Sequence, residues 1–270
     1  MPELPEVETT RRGIEPFLHN KQIKSVEVHN SSLRWPVPQT ITRLADARVQ
    51  HVGRRGKYIV LTNKLGSAII HLGMSGSLRI DKLSIPKRKH DHVELLLANK
   101  QVIRFHDPRR FGCFLWHEGP AEEHSLLAKL GPEPLANQFN SEYLFTATRK
   151  RNVPIKALIM NSQVVVGVGN IYASEALFMS GIRPGKTARR LSRKEAEALC
   201  KAIRDVLQKS IEKGGTTLRD FINSDGEPGY FAQSLFVYGR EGEPCQMCKA
   251  PIKKTVMAQR STFYCPACQR

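Results

Sequence analysis

The sequence predicts an α+β chain: a β-rich N-terminal domain entered by a helix, then a helical domain, then a small four-cysteine ribbon. Three observations predict it. Before residue 130, short runs of β-branched and aromatic residues alternate with Gly, Asn and Asp turns at close intervals, the mark of a sandwich or barrel. Beyond that point the apolar residues recur at helical spacing. The tail carries Cys245, Cys248, Cys265 and Cys268 as C-x2-C-x16-C-x2-C, inside the window of a zinc ribbon.

Each element has its own reason. Pro2 and Pro5, with Glu3, Glu6 and Glu8, mark a helix entry, because proline suits a first turn and carboxylates suit the positive end of the helix dipole. Strand-like runs follow at 23–28, 57–62, 68–72 and 77–80, and 93–98 pairs with 101–105 around Asn99-Lys100. Gly131-Pro132-Glu133-Pro134 reads as an interdomain linker. Residues 155–161 and 171–180 read as short helices. Ser192, with Glu195 three residues on, forms a capping box for a long helix striped by Ala196, Leu199, Cys200, Ile203, Val206, Leu207 and Ile211. Gly214-Gly215 end it. The expected domains are 1–130, a linker at 131–140, 141–235 and a ribbon at 236–270, and 270 residues suffice for more than one core.

Composition narrows the partners. The formal charge is +17 and spread out: residues 1–130 carry +8 and residues 131–270 carry +9. Two basic lobes imply a clamp on a polyanion, although solubility or association with structural RNA accounts for charge alone equally well. From Cys245 to Arg270 the ribbon holds Lys249, Lys253, Lys254, Arg260 and Arg270 and no acid. Cys113 and Cys200 sit in apolar runs and read as core. No disulfide framework, signal peptide or long uncharged apolar run is visible, so the expected setting is reducing and cytoplasmic, with no membrane partner. His19, His29, His51, His117 and His124 show no paired spacing, and none follows His124, so the metal site is expected to be all-cysteine and structural.

Two motifs remain open on spacing alone. Gly167-Val168-Gly169-Asn170 opens a helix, but Tyr172 stands where a dinucleotide fingerprint needs its third glycine. It is either a turn bringing backbone N–H groups to a phosphate or a plain interhelical turn. Removal of Met1 would expose the secondary amine of Pro2, a nucleophile for sugar or carbonyl carbon that yields an iminium electron sink. Glu3 and Glu6 would then carry protons and Lys57 would lower the amine's pKa; on spacing alone the two acids only decorate a helix start.

Five ordered motifs resemble the bacterial formamidopyrimidine-DNA glycosylase family (8-oxoguanine DNA glycosylase/AP lyase). They are Pro2-Glu3-Leu4-Pro5-Glu6-Val7-Glu8-Thr9, His71-Leu72-Gly73-Met74-Ser75-Gly76, Asp107-Pro108-Arg109-Arg110-Phe111-Gly112, Gly167–Tyr172, and the ribbon with Ala258-Gln259-Arg260-Ser261-Thr262-Phe263-Tyr264-Cys265. The resemblance runs end to end. Leu4, where the endonuclease VIII branch usually has glycine, favours the purine-lesion branch.

The resemblance implies an N-terminal β-sandwich with a flanking helix, a helix-two-turn-helix domain and a ribbon holding one structural Zn2+, with no organic cofactor. It implies a monomeric bifunctional glycosylase and lyase that everts and excises oxidised purines from double-stranded DNA. Pro2 would attack C1′, Glu3 would act as acid and base beside Glu6, Lys57 would assist β-elimination and Arg260 δ-elimination. Met74, Arg109 and Phe111 would fill the vacated stack; without the resemblance Met74 and Phe111 read as core. Arg109 only donates hydrogen bonds, so it should prefer an orphan cytosine, whose edge offers adjacent acceptors, over adenine. His90, Arg151, Lys156, Asn170 and Tyr238 would touch DNA, mainly its backbone, and 214–230 would cover the everted base. Two alternatives stay open: the same chemistry on oxidised pyrimidines, and a non-catalytic nucleic-acid-binding zinc protein.

Overall fold

In a computed structural model, which describes residues 2–215 and 235–270, helix α1 (Leu4–Leu18) precedes a set of eight strands. Glu3 caps α1: its side chain accepts from the Glu6 N–H, and its own N–H donates to Glu6 Oε2 at 2.8 Å. This reciprocal pair satisfies donors that a helix start leaves open. Val7, Ile14 and Leu18 recur at helical spacing and are buried, which sets the face that packs.

The strands are β1 (Ile23–Val28), β2 (His51–Arg55), β3 (Tyr58–Asn63), β4 (Gly66–His71), β5 (Ser77–Lys82), β6 (Asp91–Leu97), β7 (Gln101–His106) and β8 (Cys113–His117). They form two four-stranded antiparallel sheets, ordered β1-β6-β7-β5 and β2-β3-β4-β8. Val93, Leu95, Ile103 and Phe105 from the first join Ile59, Leu61, Ile70 and Phe114 from the second, with Val7, Ile14 and Leu18 of α1, in one apolar cluster. Phe105 and Phe114 meet edge to face, centroids 5.9 Å apart, a contact worth about 0.5–1.5 kcal/mol beyond its area. The other face of the first sheet buries charges in pairs: Arg79 grips Asp91 at 2.8 Å and Arg104 grips Glu94 at 2.6 Å.

The second unit runs from Leu130 to Glu212 and resumes at the ribbon. It holds α2 (Ser141–Thr148), α3 (Ile155–Ile159), α4 (Asn170–Met179), α5 (Arg193–Glu212), β9 (Lys253–Met257) and β10 (Arg260–Tyr264). The capping box at Ser192 and Glu195 forms as its spacing demands, with bonds of 2.9 and 3.2 Å, and the expected stripe of α5 is buried. α4 packs on α5, where the Tyr172 and Ser210 hydroxyls meet at 2.6 Å.

Several expectations need correcting. The stretch 131–134 is not a free linker: Gly131 N–H donates to Ser162 O at 2.8 Å and Val166 N–H to Pro132 O at 3.2 Å, binding it into the second unit. β3 starts at Tyr58, which leaves Lys57 in the β2–β3 turn rather than in a strand. β2, β8 and α2 escaped the pattern. β2 buries only Val52 and contains Gly53, while α2 is eight residues long and buries only Leu144 and Thr148.

Candidate active site and nucleic-acid interface

Pro2, Glu3 and Glu6 are all buried where α1 begins. The capping box that starts the helix also fixes the Glu3 carboxylate directly after Pro2, so one local motif brings three of the expected residues together. Gly215 lies against Glu6: a Cβ there would come within 3.2 Å of the Glu6 Cγ. The Lys57 turn is tied to the same helix. Arg54 donates to Glu8 Oε2 at 3.1 Å and to Gly56 O at 2.8 Å, linking α1 to the residue before Lys57. Burial alone would raise the Glu8 carboxyl. Hydrogen bonds from Arg11 and Arg12, with the charges of Arg11 and Arg54, overcome this and hold it below its ordinary value.

His71 stands beside this turn, its ring 4.8 Å from that of Tyr58. Burial, then the charges of Lys57 and Arg34, hold its pKa down to about 4. The ring is therefore neutral near pH 7, and its Nδ1 accepts the Gly73 N–H at 3.0 Å. That bond sets the turn carrying Met74. Gly73 has φ +67, and a Cβ on it would meet Gly112 N and the Phe111 carbonyl carbon at 2.5 Å. Only glycine permits so close a backbone approach there. The Met74 turn and the Arg109–Phe111 turn are thus pressed together. Met74 is 37% exposed and Phe111 45%, with the Arg109 guanidinium 4.9 Å from the Phe111 ring centre. These are outward-facing apolar groups, not the core residues their types alone imply. His90, half-buried, lies edge-on to His106, centroids 5.9 Å apart.

In the second unit, Arg151 is exposed as a phosphate contact requires. Lys156 is not. It is 1% exposed, and its ammonium donates to Asn170 Oδ1 at 2.6 Å, Thr262 Oγ1 at 2.8 Å and Ser261 O at 3.1 Å. Asn170 in turn donates to Ser261 O at 2.9 Å. Both residues act in this structure as struts from the helices to β10, next to Arg260. Gly169 caps α4 and Gly167 takes φ +80, so the glycine turn serves first to aim Asn170 at β10. The Tyr238 ring meets the Phe263 ring of β10 edge-on at 5.1 Å.

Arg260 opens β10 beside a two-residue turn in which Ala258 and Gln259 both have positive φ, and it is exposed at the hairpin tip. Below it the four cysteine sulfurs lie within 4.8 Å of one another. The Cys245–Cys268 and Cys248–Cys265 separations are 4.0 and 3.4 Å. Bonds of about 2.3 Å to one tetrahedral zinc place sulfurs about 3.8 Å apart, so the set fits a closed structural ion. Glu27, His29 and Glu94 also lie close together, but Arg104 and His29 already hold both Glu94 oxygens.

Glu175 is a buried carboxylate that the sequence did not disclose. It is 1% exposed, and it accepts the N–H groups of Phe236, Val237 and Tyr238 at 2.7, 3.0 and 2.9 Å. The one available signal was an acid inside an otherwise apolar helix, since unpaired carboxylates are almost never buried. The stretch 214–230 lies outside the described residues from 216 onward.

Comparison with known proteins places these observations. The chain matches the family models for the formamidopyrimidine-DNA glycosylase N-terminal domain over residues 1–114, the formamidopyrimidine-DNA glycosylase H2TH domain over 130–222, and the zinc finger found in FPG and IleRS over 242–270. It is 57% identical to the formamidopyrimidine-DNA glycosylase of Thioalkalivibrio sulfidiphilus, covering 100% of both chains. A Lactococcus lactis FPG variant solved with Fapy-dG-containing DNA superposes with TM-score 0.92 at 33% identity over 100% of both chains. The Lactococcus lactis Fpg complex with DNA containing an abasic site gives 0.91 at 33% identity over 99% of each.

Proposed function

The chain belongs to the formamidopyrimidine-DNA glycosylase family, and on that footing we propose that it excises oxidised purines from double-stranded DNA and then cuts the strand. The observation that carries this reading is the capping box that buries Glu3 and Glu6 beside Pro2 at the head of α1. After removal of Met1, the Pro2 nitrogen attacks C1′ of an everted nucleotide, the base departs, and an iminium forms. Glu3 shuttles protons at the sugar. Lys57, on a turn anchored to α1 through Arg54, assists β-elimination. Arg260 grips phosphate and assists δ-elimination, leaving a gap with phosphate at both ends.

Eversion costs a few kcal/mol, and stacking on Phe111 with Met74 volume offsets part of it. Arg109 meets the orphaned cytosine. Arg151, His90 and Tyr238 hold the backbone, while Lys156 and Asn170 fix the ribbon. The ribbon's cysteines hold one structural zinc, which keeps Arg260 in place. The enzyme works as a cytoplasmic monomer; among the described residues no helix is long and apolar enough to cross a membrane.

Labelled duplexes carrying 8-oxoguanine, a formamidopyrimidine or thymine glycol test the substrate class. Cleavage of the first two opposite cytosine, with phosphate at both gap ends, is the expected result. Preferential cleavage of thymine glycol would place the chain with pyrimidine-lesion enzymes instead. Leu4 and the names of the relatives weigh against that alternative.

A further inference from the structure

Asp107 opens the turn that carries Arg109 and Phe111, yet no step above uses it. It is 0% exposed, and every hydrogen-bonding group it owns is engaged. Its N–H donates to His90 O at 3.0 Å, and its carbonyl accepts from His92 Nε2 at 2.8 Å and Arg110 N at 3.2 Å. One carboxylate oxygen accepts the Ser75 hydroxyl at 3.1 Å. The other accepts the Gly112 N–H at 2.7 Å. Ser75 follows Met74 and Gly112 follows Phe111, so a single carboxylate spans the two turns from which the exposed Met74, Arg109 and Phe111 project. Its backbone adds the His90 loop.

Resting on the reading of those three residues as the filler of the vacated stack, we propose that Asp107 is a positioning residue for opposite-base preference. The reasoning is geometric. Arg109 distinguishes cytosine from adenine only if its N–H groups arrive in register with the orphan's edge, and bidentate recognition tolerates little displacement. The glycine contact between the turns sets their spacing, and the Asp107 carboxylate sets their relative slide. Without it the Met74 turn keeps the His71 bond and the Phe111 turn keeps the His92 bond to its first carbonyl, but the carboxylate link between the two turns is lost. Asp107 touches no reacting atom in this scheme. Its loss should therefore act on the duplex-dependent step and spare the amine chemistry.

The test compares Asp107→Ala, Asp107→Asn, Ser75→Ala and Arg109→Ala, each zinc-loaded and full length. Two quantities are read: the ratio of kcat/KM for 8-oxoguanine opposite cytosine and opposite adenine, and borohydride trapping of a single-stranded abasic oligonucleotide. The single strand has no stack to fill and no partner base. In Asp107→Ala the cytosine preference should fall on the order of tenfold, the scale of one good bidentate base contact. Single-strand trapping should stay within about twofold of the parent, because that step does not use the tether. Asp107→Asn should behave as the parent: its oxygen accepts Gly112 N–H, and its amide donates to a Ser75 hydroxyl rotated to accept.

A loss of single-strand trapping in Asp107→Ala with the cytosine-to-adenine ratio unchanged overturns the proposal, since it marks a merely structural residue. If Asp107→Ala does not fold, Ser75→Ala decides: a several-fold drop in the ratio upholds the tether, and the parent ratio overturns it. Arg109→Ala separates the two readings. If Arg109→Ala leaves the ratio untouched, the stack-filling assignment itself is wrong. If Arg109→Ala lowers the ratio and Asp107→Ala does not, only the tether fails.

Discussion

Replacing Glu175 with Gln changes one oxygen for one amide and little else. The native carboxylate takes the Phe236 N–H on one oxygen and the Val237 and Tyr238 N–H groups on the other. Burial raises this carboxyl above its ordinary value, and the three N–H donors and then Arg240 offset only part of that. Three donors aimed at one group are satisfied by the ionised form. Gln offers a single acceptor oxygen, so either the Phe236 N–H or the other two must face an NH2 group. At least one buried N–H is orphaned, at about 1–3 kcal/mol, and the remaining bonds lose their charge assistance. The expected cost is about 2–4 kcal/mol in urea denaturation at pH 7, with Glu175→Ala at the upper end. The loss should concentrate in the segment leading to the ribbon, because Tyr238 packs on Phe263. Zinc release to a chelator should accelerate, and strand scission should stall after β-elimination as Arg260 loses its seat. A Glu175→Gln protein with parental denaturation midpoint and parental zinc release would refute the reasoning, since it would mean those three N–H groups need no carboxylate.

Acid should weaken the protein in two windows. His71 is held at about 4, below the ordinary 6.5, so between these values the unfolded chain binds more protons than the native one. Stability therefore rises with pH across that window and is lost as pH falls through it, by up to about 3 kcal/mol; urea midpoints at pH 7, 5.5 and 4 should display the slope, and His71→Asn should flatten it. Asp91 is held at about 2: burial opposes this, but the His106 bond, the Arg88 N–H and Arg79 prevail. Its contribution is complete above about pH 4 and lost as pH falls toward 2, so Asp91→Asn should remove that lower limb. Chelating the metal should unfold β9 and β10, since structural zinc supplies about 10–16 kcal/mol of apparent binding. Far-ultraviolet dichroism would change little, and δ-elimination should disappear before base excision.

What the sequence disclosed depended on how local each feature is. The Ser192 box, the α5 stripe and the cysteine spacing are set by neighbours a few residues away, and all were legible. The Glu3–Glu6 pair was legible as a helix start, and its burial beside Pro2 was not, because burial depends on the whole unit. The burial of Lys156 was not legible for a related reason. A lysine is expected at the surface, and its three acceptors come from Asn170, Ser261 and Thr262, two of them about a hundred positions away. The same holds for Glu175 and for Asp107. Glu175 binds three N–H groups 61 to 63 positions away, and Asp107 binds the Ser75 hydroxyl 32 positions away, approaches that no local pattern encodes. β2 and β8 were missed since a glycine and a flanking turn broke the alternation that identifies strands.

The most direct test of the central assignment maps a borohydride-reduced adduct. Protein with Met1 removed is incubated with an 8-oxoguanine duplex, reduced, digested and sequenced by mass. The sugar remnant should sit on the Pro2 nitrogen, and acylation of that amine beforehand should eliminate the adduct while DNA binding persists. A remnant on Lys57 or another lysine, or an undiminished adduct from the acylated protein, would contradict the assignment of the nucleophile.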